Sequence, residues 1–342
     1  MSRRRHSPIT LAMSASLLAS LVLTPAAGQL TQDGGYVPGR TAWGDPDLQG
    51  VYTFATSTPL ERPEALGDKA TYSEEELAAL EEAVAQQMAS DQIGYDEGGV
   101  PPYNTTWVLN EQGRAAERTS LIVNPQNGRL PPLTEAGERV RDELAAELAA
   151  RTVEGPTQNY TIYDTWLDHL PYTRCVARPM PRIGAAYNHG MQILQTPGYV
   201  VIYYESMHDT RIIPLDGRAP IPSSMRQWNG DARGHWEDDT LVVDWRNFTD
   251  KIEFEGFPQG GMRFVERLTK VDANTINYEV TVHAPEIWAQ PWTLALPWRA
   301  DDPNYQTPVD LYEFACHEGN YRMMRNTLEG SQALREARGE FE

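Results

Sequence analysis

Cysteine is scarce in this chain, with two residues, Cys175 and Cys316, among 342. So small a number rules out a disulfide-dense scaffold and a zinc site built from four cysteines, and neither cysteine stands in a CxxC pair. Basic residues are outnumbered, 29 against 48 acidic ones, for a formal net charge of -19. A field of that sign repels phosphate backbones and anionic lipid heads, which disfavours nucleic acid and membrane surfaces as partners. After residue 28 no apolar run is long enough to span a bilayer. Nucleotide and nucleophile signatures are missing as well: there is no Walker loop, no GxGxxG after a strand, no GxSxG elbow and no EF-hand loop. His317-Glu318 opens like the zincin HExxH, but Tyr321 stands where the second ligand belongs.

What is present begins with a leader. Arg3-Arg4-Arg5, an apolar stretch from Ile9 to Leu23 and the small residues Pro25-Ala26-Ala27-Gly28 have the build of a secretory signal peptide over 1–28. The mature protein is therefore expected in a bacterial periplasm or outside the cell. An oxidising compartment and two cysteines predict one disulfide, Cys175 to Cys316. In the chain-entropy model, closing so long a loop stabilises by about 4–5 kcal/mol.

The 26 Gly, 25 Pro, 16 Tyr and 9 Trp favour strands and turns over a helical bundle. A strand is expected near Gly50–Phe54 and a short one at Ser120–Val123. Helices are expected over 73–90, where Ser73 and Glu76 make a capping box, and over Thr134–Arg151, with apolar positions four apart. From Cys175 onward the chain reads as short antiparallel strands: Tyr199–Glu205, Arg211–Leu215, His235–Asp244 with a break at Asp238-Asp239, Met262–Val271, Thr275–His283, Trp292–Arg299 and Asp310–Cys316. The fold class is mainly β, an antiparallel lipocalin-like barrel or strongly curved sheet with a helical N-terminal region and a C-terminal helix. The expected division is a signal peptide over 1–28, an N-terminal extension over 29–174 whose helices pack on the barrel, the barrel over 175–321, and a helical tail over 322–342.

Several phrases of the sequence are long enough to compare with known families: Trp43-Gly44-Asp45-Pro46-Asp47-Leu48-Gln49-Gly50, Thr58-Pro59-Leu60-Glu61-Arg62-Pro63, His208-Asp209-Thr210-Arg211-Ile212-Ile213-Pro214-Leu215-Asp216-Gly217, Gly234-His235-Trp236-Glu237 and Cys316-His317-Glu318-Gly319-Asn320-Tyr321. Together they resemble a large family of exported proteins of environmental bacteria. The resemblance covers nearly all of the mature chain. It implies export and a single co-evolving unit, and it brings no catalytic residues to carry over.

Candidate chemistry rests on histidines beside charged groups: His208 with Asp209 and Arg211, His235 with Glu237, and His317 with Glu318 and Tyr321. Residues two apart on a strand share a face, so Glu237 can orient His235 and raise its basicity. The expectation is an exported, cofactor-independent enzyme with His/carboxylate acid-base chemistry of lyase, hydratase or isomerase type, in which Tyr321 or Arg211 steadies developing charge. The substrate expected is a small polar-aromatic, terpenoid or sugar-like molecule, with Tyr187, Asn188, Gln192, Tyr203 and Glu205 as its contacts. A transition metal on His208, His235 and His317 is the minor branch, disfavoured because no two of them have close ligand spacing. The competing expectation is a lipocalin-like periplasmic carrier in which the histidines are structural fasteners. The Trp292, Leu294, Leu296, Trp298 face reads as ordinary core.

Overall fold

The computed structural model describes residues 36–83, 86, 117–155, 159–183, 188–300 and 311–339. The leader and Tyr187 lie outside them. The strands in chain order are β1 (Gly50–Thr53), β2 (Ile122–Asn124), β3 (Thr152–Val153), β4 (Tyr160–Thr161), β5 (Gly190–Thr196), β6 (Tyr199–Tyr204), β7 (Thr210–Pro214), β8 (Asp231–Glu237), β9 (Thr240–Arg246), β10 (Glu253–Phe254), β11 (Phe257–Pro258), β12 (Arg263–Lys270), β13 (Thr275–His283) and β14 (Trp292–Arg299). Apart from the small β3–β4 and β10–β11 pairs, they form one 10-stranded sheet.

Its path is β7-β6-β5-β1-β14-β13-β12-β9-β8, with β2 pairing β14 beyond the end of β1. Every ladder is antiparallel. Strand direction therefore alternates along the nine-membered path, and an odd count leaves its two ends, β7 and β8, running the same way. Parallel neighbours cannot be joined by a tight hairpin, so the long segment 215–230 carries the chain from the end of β7 back to the start of β8. The two end strands lie side by side without a hydrogen-bond ladder. At one end of this seam the approach is close: a Cβ on Gly234 would sit 2.7 Å from Leu215 Cδ2 and 2.8 Å from Ile213 Cγ2. The sheet is thus curled until its edges touch through side chains.

Alternation builds the core. β6 and β13 leave every second residue half-buried and turn Val200, Ile202 and Tyr204, or Ile276, Tyr278, Val280 and Val282, inward. Trp292, Leu294, Leu296 and Trp298 of β14 are all buried, as a core face requires. The sheet draws on both sides of residue 174, since β1 is inserted between β5 and β14.

The Glu135–Ala150 helix starts at Thr134, whose hydroxyl accepts the Gly137 amide at 3.0 Å, and it packs Val140 on the core cluster. Residues 74–83 are also helical, opened by the Ser73/Glu76 box. The C-terminal helix runs over Cys316–Ala337. Two expectations are corrected here. Residues 311–315 carry no strand, because the apparent alternation of Leu311, Tyr312, Glu313 and Phe314 leads directly into a helix that starts six residues earlier than the tail boundary at 322. The strand β5 is an addition to those expected: its Gln192 and Gln195 break the apolar run, although Gln192 lies between buried Met191 and Ile193 and Gln195 is itself buried. The Cys175–Cys316 disulfide is formed and fastens this helix to the segment before β5.

Candidate functional site

Most apolar stripes on the inner face are interrupted by nothing, but two carry a charge. On β12, Glu266 stands between Phe264 and Leu268, fully buried, and on β7 Arg211 precedes Ile213, 4% exposed. A lone buried ion is prohibitively unfavourable, so these two must meet. They do, across the hollow of the sheet: Arg211 Nη1 donates to Glu266 Oε1 at 3.0 Å, Nη2 donates to Oε2, and the Tyr278 hydroxyl donates to Oε1. Burial works against the Arg211 charge, yet Glu266 outweighs it and holds the guanidinium more basic than usual. Tyr278 and Tyr204 are both pushed to higher pKa, chiefly by burial.

A second ion pair adjoins the first. Arg182, from the segment before β5, pairs with Asp209, from the turn before β7, with side chains 2% and 11% exposed. Burial lowers the Arg182 pKa to about 10 and raises that of Asp209, in each case against the effect of the partner. The two pairs belong to one closed ring of contacts. Arg182 Cζ lies 4.9 Å from the centre of the Tyr204 ring, and the Tyr204 hydroxyl lies 3.5 Å from Arg211 Nη1. Arg211 Cζ stacks 3.8 Å over Trp245, whose indole N–H donates to the Asn229 carbonyl at 2.7 Å. The Asn229 amide donates to Asp209 at 2.9 Å, and Asp209 returns to Arg182. Four buried polar atoms of the ring have no hydrogen-bond partner among the described residues: Nε and Nη1 of Arg182, Nε of Arg211 and Oδ1 of Asn229.

Arg211, Trp245 and Asn229 of the ring border a cleft of about 530 Å³ at the open end of the seam. Its walls are Thr210–Ile212 of β7, Asp231 and Ala232 of β8, Trp245 and the segment 226–230. The odd strand count thus has a local result: where a barrel would be zipped, this sheet has an opening bordered by Arg211.

The residues singled out from sequence are distributed otherwise. His235 is exposed on β8, 3.2 Å from Glu237, which also pairs with Arg267. The expected His/carboxylate unit is therefore formed, on the surface. His208 is exposed beside the C-terminal segment, its Nε2 accepting the Phe314 amide at 3.4 Å. His317, Glu318 and Tyr321 are exposed on the C-terminal helix. No hydrogen bond, ion pair or ring contact among the described residues links any two of the three imidazoles, and no group of three or more metal-ligating side chains is found there. Gln192 and Tyr203 are cross-strand partners turned away from the core, and the next residue, Tyr204, takes the inward position. Asn188 donates to the buried Glu205 carboxylate, whose pKa burial raises. Of the catalytic set, only Arg211 borders the cleft.

Reasoning from sequence missed Arg182, Tyr204, Asn229, Trp245 and Glu266. The readable signal was a single acid and a single base on otherwise apolar inward stripes. No helix among the described residues is long and apolar enough to cross a membrane. Set against protein-family models, curated proteins and solved structures, the chain finds no match in any of the three.

Proposed function

We propose that this is an exported small-molecule-binding protein that uses its curled sheet as a lipocalin-like receptacle with a side opening at the β7/β8 seam. The observation that carries this reading is the cleft of about 530 Å³ at that seam, walled by Arg211, Asn229 and Trp245 of a buried polar ring that keeps four polar atoms without a hydrogen-bond partner among the described residues. Unsatisfied buried donors cost about 1–3 kcal/mol each, so a site that keeps several is built for something that satisfies them. The leader and the disulfide support an exported protein. A thermal-shift screen of small organic molecules tests the reading. Ligand at a hundred times its Kd stabilises by about 2.7 kcal/mol, and Thr210→Trp, which fills the cleft from an exposed position, abolishes the shift. Shifts that survive Thr210→Trp, or their absence across the screen, overturn it.

A second reading, the acid-base enzyme, is favoured by one feature. Asp209 holds its proton more tightly than an ordinary aspartate, and the neighbouring His208 acts on its charge. In that reading Asp209 transfers the proton and His208 relays it to solvent. Turnover of a bound compound that is lost in His208→Gln, with binding intact, would promote this reading over simple binding.

A further inference from the structure

We infer that the Cys175–Cys316 disulfide is a redox latch: it holds residues 311–315 as a strap over Glu205 and His208, and a dithiol reductant releases the strap while the curled sheet stays folded. This inference does not rest on the cleft at the β7/β8 seam. Residues 311–315 are extended chain leading into the C-terminal helix, and amides two apart on such a stretch face the same way. Here both amides go to side chains. Tyr312 N–H donates to the Glu205 carboxylate, and Phe314 N–H donates to His208 Nε2 at 3.4 Å. The Phe314 ring lies 6.2 Å from that of Tyr172 and 6.5 Å from the His208 imidazole, and a Cβ on Gly190 would sit 2.7 Å from Leu311 Cδ2. The strap therefore covers the turn that links β6 to β7.

Little besides the disulfide keeps strap and helix in place. Among the described residues, none from 311–337 belongs to the core cluster or packs against it, and of the 22 residues of the helix only Ser331 is buried. Tyr312 and Tyr321 are 64% and 72% exposed. The helix rests on polar contacts along its second half: Thr327 with His169 at 3.1 Å, Ser331 with the Tyr163 amide at 2.9 Å and Arg335 with Asp164 at 2.7 Å. Segments with so few buried apolar contacts open locally at low free energy. The bond is also placed to be broken. Cys316 is the first residue of the helix, and its sulfur accepts the Asn320 side-chain N–H at 3.1 Å, so a thiolate is stabilised there twice over. One thiolate of the dithiol attacks Cys175 Sγ, the S–S bond breaks, and Cys316 leaves with the electron pair. The reductant's second sulfur then attacks the mixed disulfide, which releases Cys175 and closes the reductant into its own cyclic disulfide. Two electrons pass to the protein, and the two protons of the dithiol go to the freed sulfurs or to solvent.

The experiment treats the intact folded protein with dithiothreitol in the absence of denaturant, blocks free thiols with iodoacetamide and follows amide hydrogen exchange by mass spectrometry. Both cysteines are expected to be alkylated, with exchange at 312 and 314 faster by about tenfold or more and the protection of β12 and β13 unchanged. Diethyl pyrocarbonate should modify His208 severalfold faster after reduction, because its Nε2 is freed from the Phe314 amide, while His235, paired with Glu237, keeps its rate as the reference. The variant Cys175→Ala/Cys316→Ala should show the open strap with no reductant present. If the bond resists dithiothreitol until the protein is unfolded by urea, it is a structural clamp and the latch falls. If it is reduced while 312, 314 and His208 behave as in the oxidised protein, the strap is held by its own contacts and the latch falls again. If β12 and β13 lose protection together with the strap, the bond holds the whole fold and no switch exists. The wild-type comparison decides these outcomes even where the double variant does not fold.

Discussion

Glu266→Gln should be among the most destabilising conservative changes in the molecule, although it alters one atom. Glu266 is fully buried and accepts from both terminal nitrogens of Arg211 and from Tyr278. With glutamine in its place, one oxygen remains to serve those donors, and the guanidinium, 4% exposed, loses its counter-charge. Breaking a buried pair on one side costs about 3–5 kcal/mol, because the surviving ion is left in a medium that cannot solvate it. Adding Arg211→Met removes that ion. The amide oxygen of the introduced glutamine can still accept from Tyr278, and the methionine thioether can pack on Trp245 in place of the guanidinium. The double variant forfeits a desolvated cation–π contact of about 2 kcal/mol yet is expected to be more stable than Glu266→Gln alone. Urea unfolding of the oxidised proteins at pH 7, followed by tryptophan fluorescence, supplies the three midpoints. The reasoning fails if Glu266→Gln costs less than about 1 kcal/mol, or if the second substitution adds to the loss.

Replacing Cys175 and Cys316 by serine should cost about 4–5 kcal/mol, since the bond closes a separation of 141 residues; guanidinium melts of the two forms check it. Gly234→Ala places a methyl group against Leu215 and Ile213, so a loss of about 1–3 kcal/mol is expected together with faster amide exchange in β7 and β8. Burial raises the Glu205 pKa, so its carboxyl stabilises the fold below the unfolded-state pKa and loses that contribution as pH rises through the folded-state value. Glu205→Gln should accordingly gain on the wild type as pH rises above the ordinary glutamate value of 4.5, as urea midpoints would record. His235→Gln should leave both stability within about 0.5 kcal/mol and ligand binding intact, because the imidazole is exposed and its one polar partner is the surface carboxylate of Glu237.

The strands were legible because one buried face leaves a period of two in the sequence. Thr275–His283 is a nine-residue alternation bounded by Asp272-Ala273-Asn274, and it folds as read. The β8–β9 turn at Asp238-Asp239 is in place, with Asp238 at φ 51°. β1 could be recognised as a strand, but its seat between β5 and β14 could not, because pairing partners far apart in sequence leave no local pattern. The site was harder still. Asp209 and Arg211 are two apart, yet Asp209 goes to Arg182 and Arg211 to Glu266. Charge pairing over 27 and 55 residues is a property of the curled sheet, invisible to spacing. The histidines attracted attention because imidazole titrates near neutrality, and that chemical argument carries no information about which side of a strand a residue occupies.

The odd count along the sheet path has an evolutionary side. Chains of this architecture grow or shrink most readily by whole hairpins, because a strand and its antiparallel neighbour enter together through a short turn. Adding or deleting two strands preserves parity, so β7 and β8 would still end up parallel and unzipped after any such event. Only the gain or loss of a single strand, or a strand supplied from outside and laid antiparallel to both edges, could seal the wall. A lateral opening set by parity is therefore inherited through changes in length that would remodel a mouth made of loops.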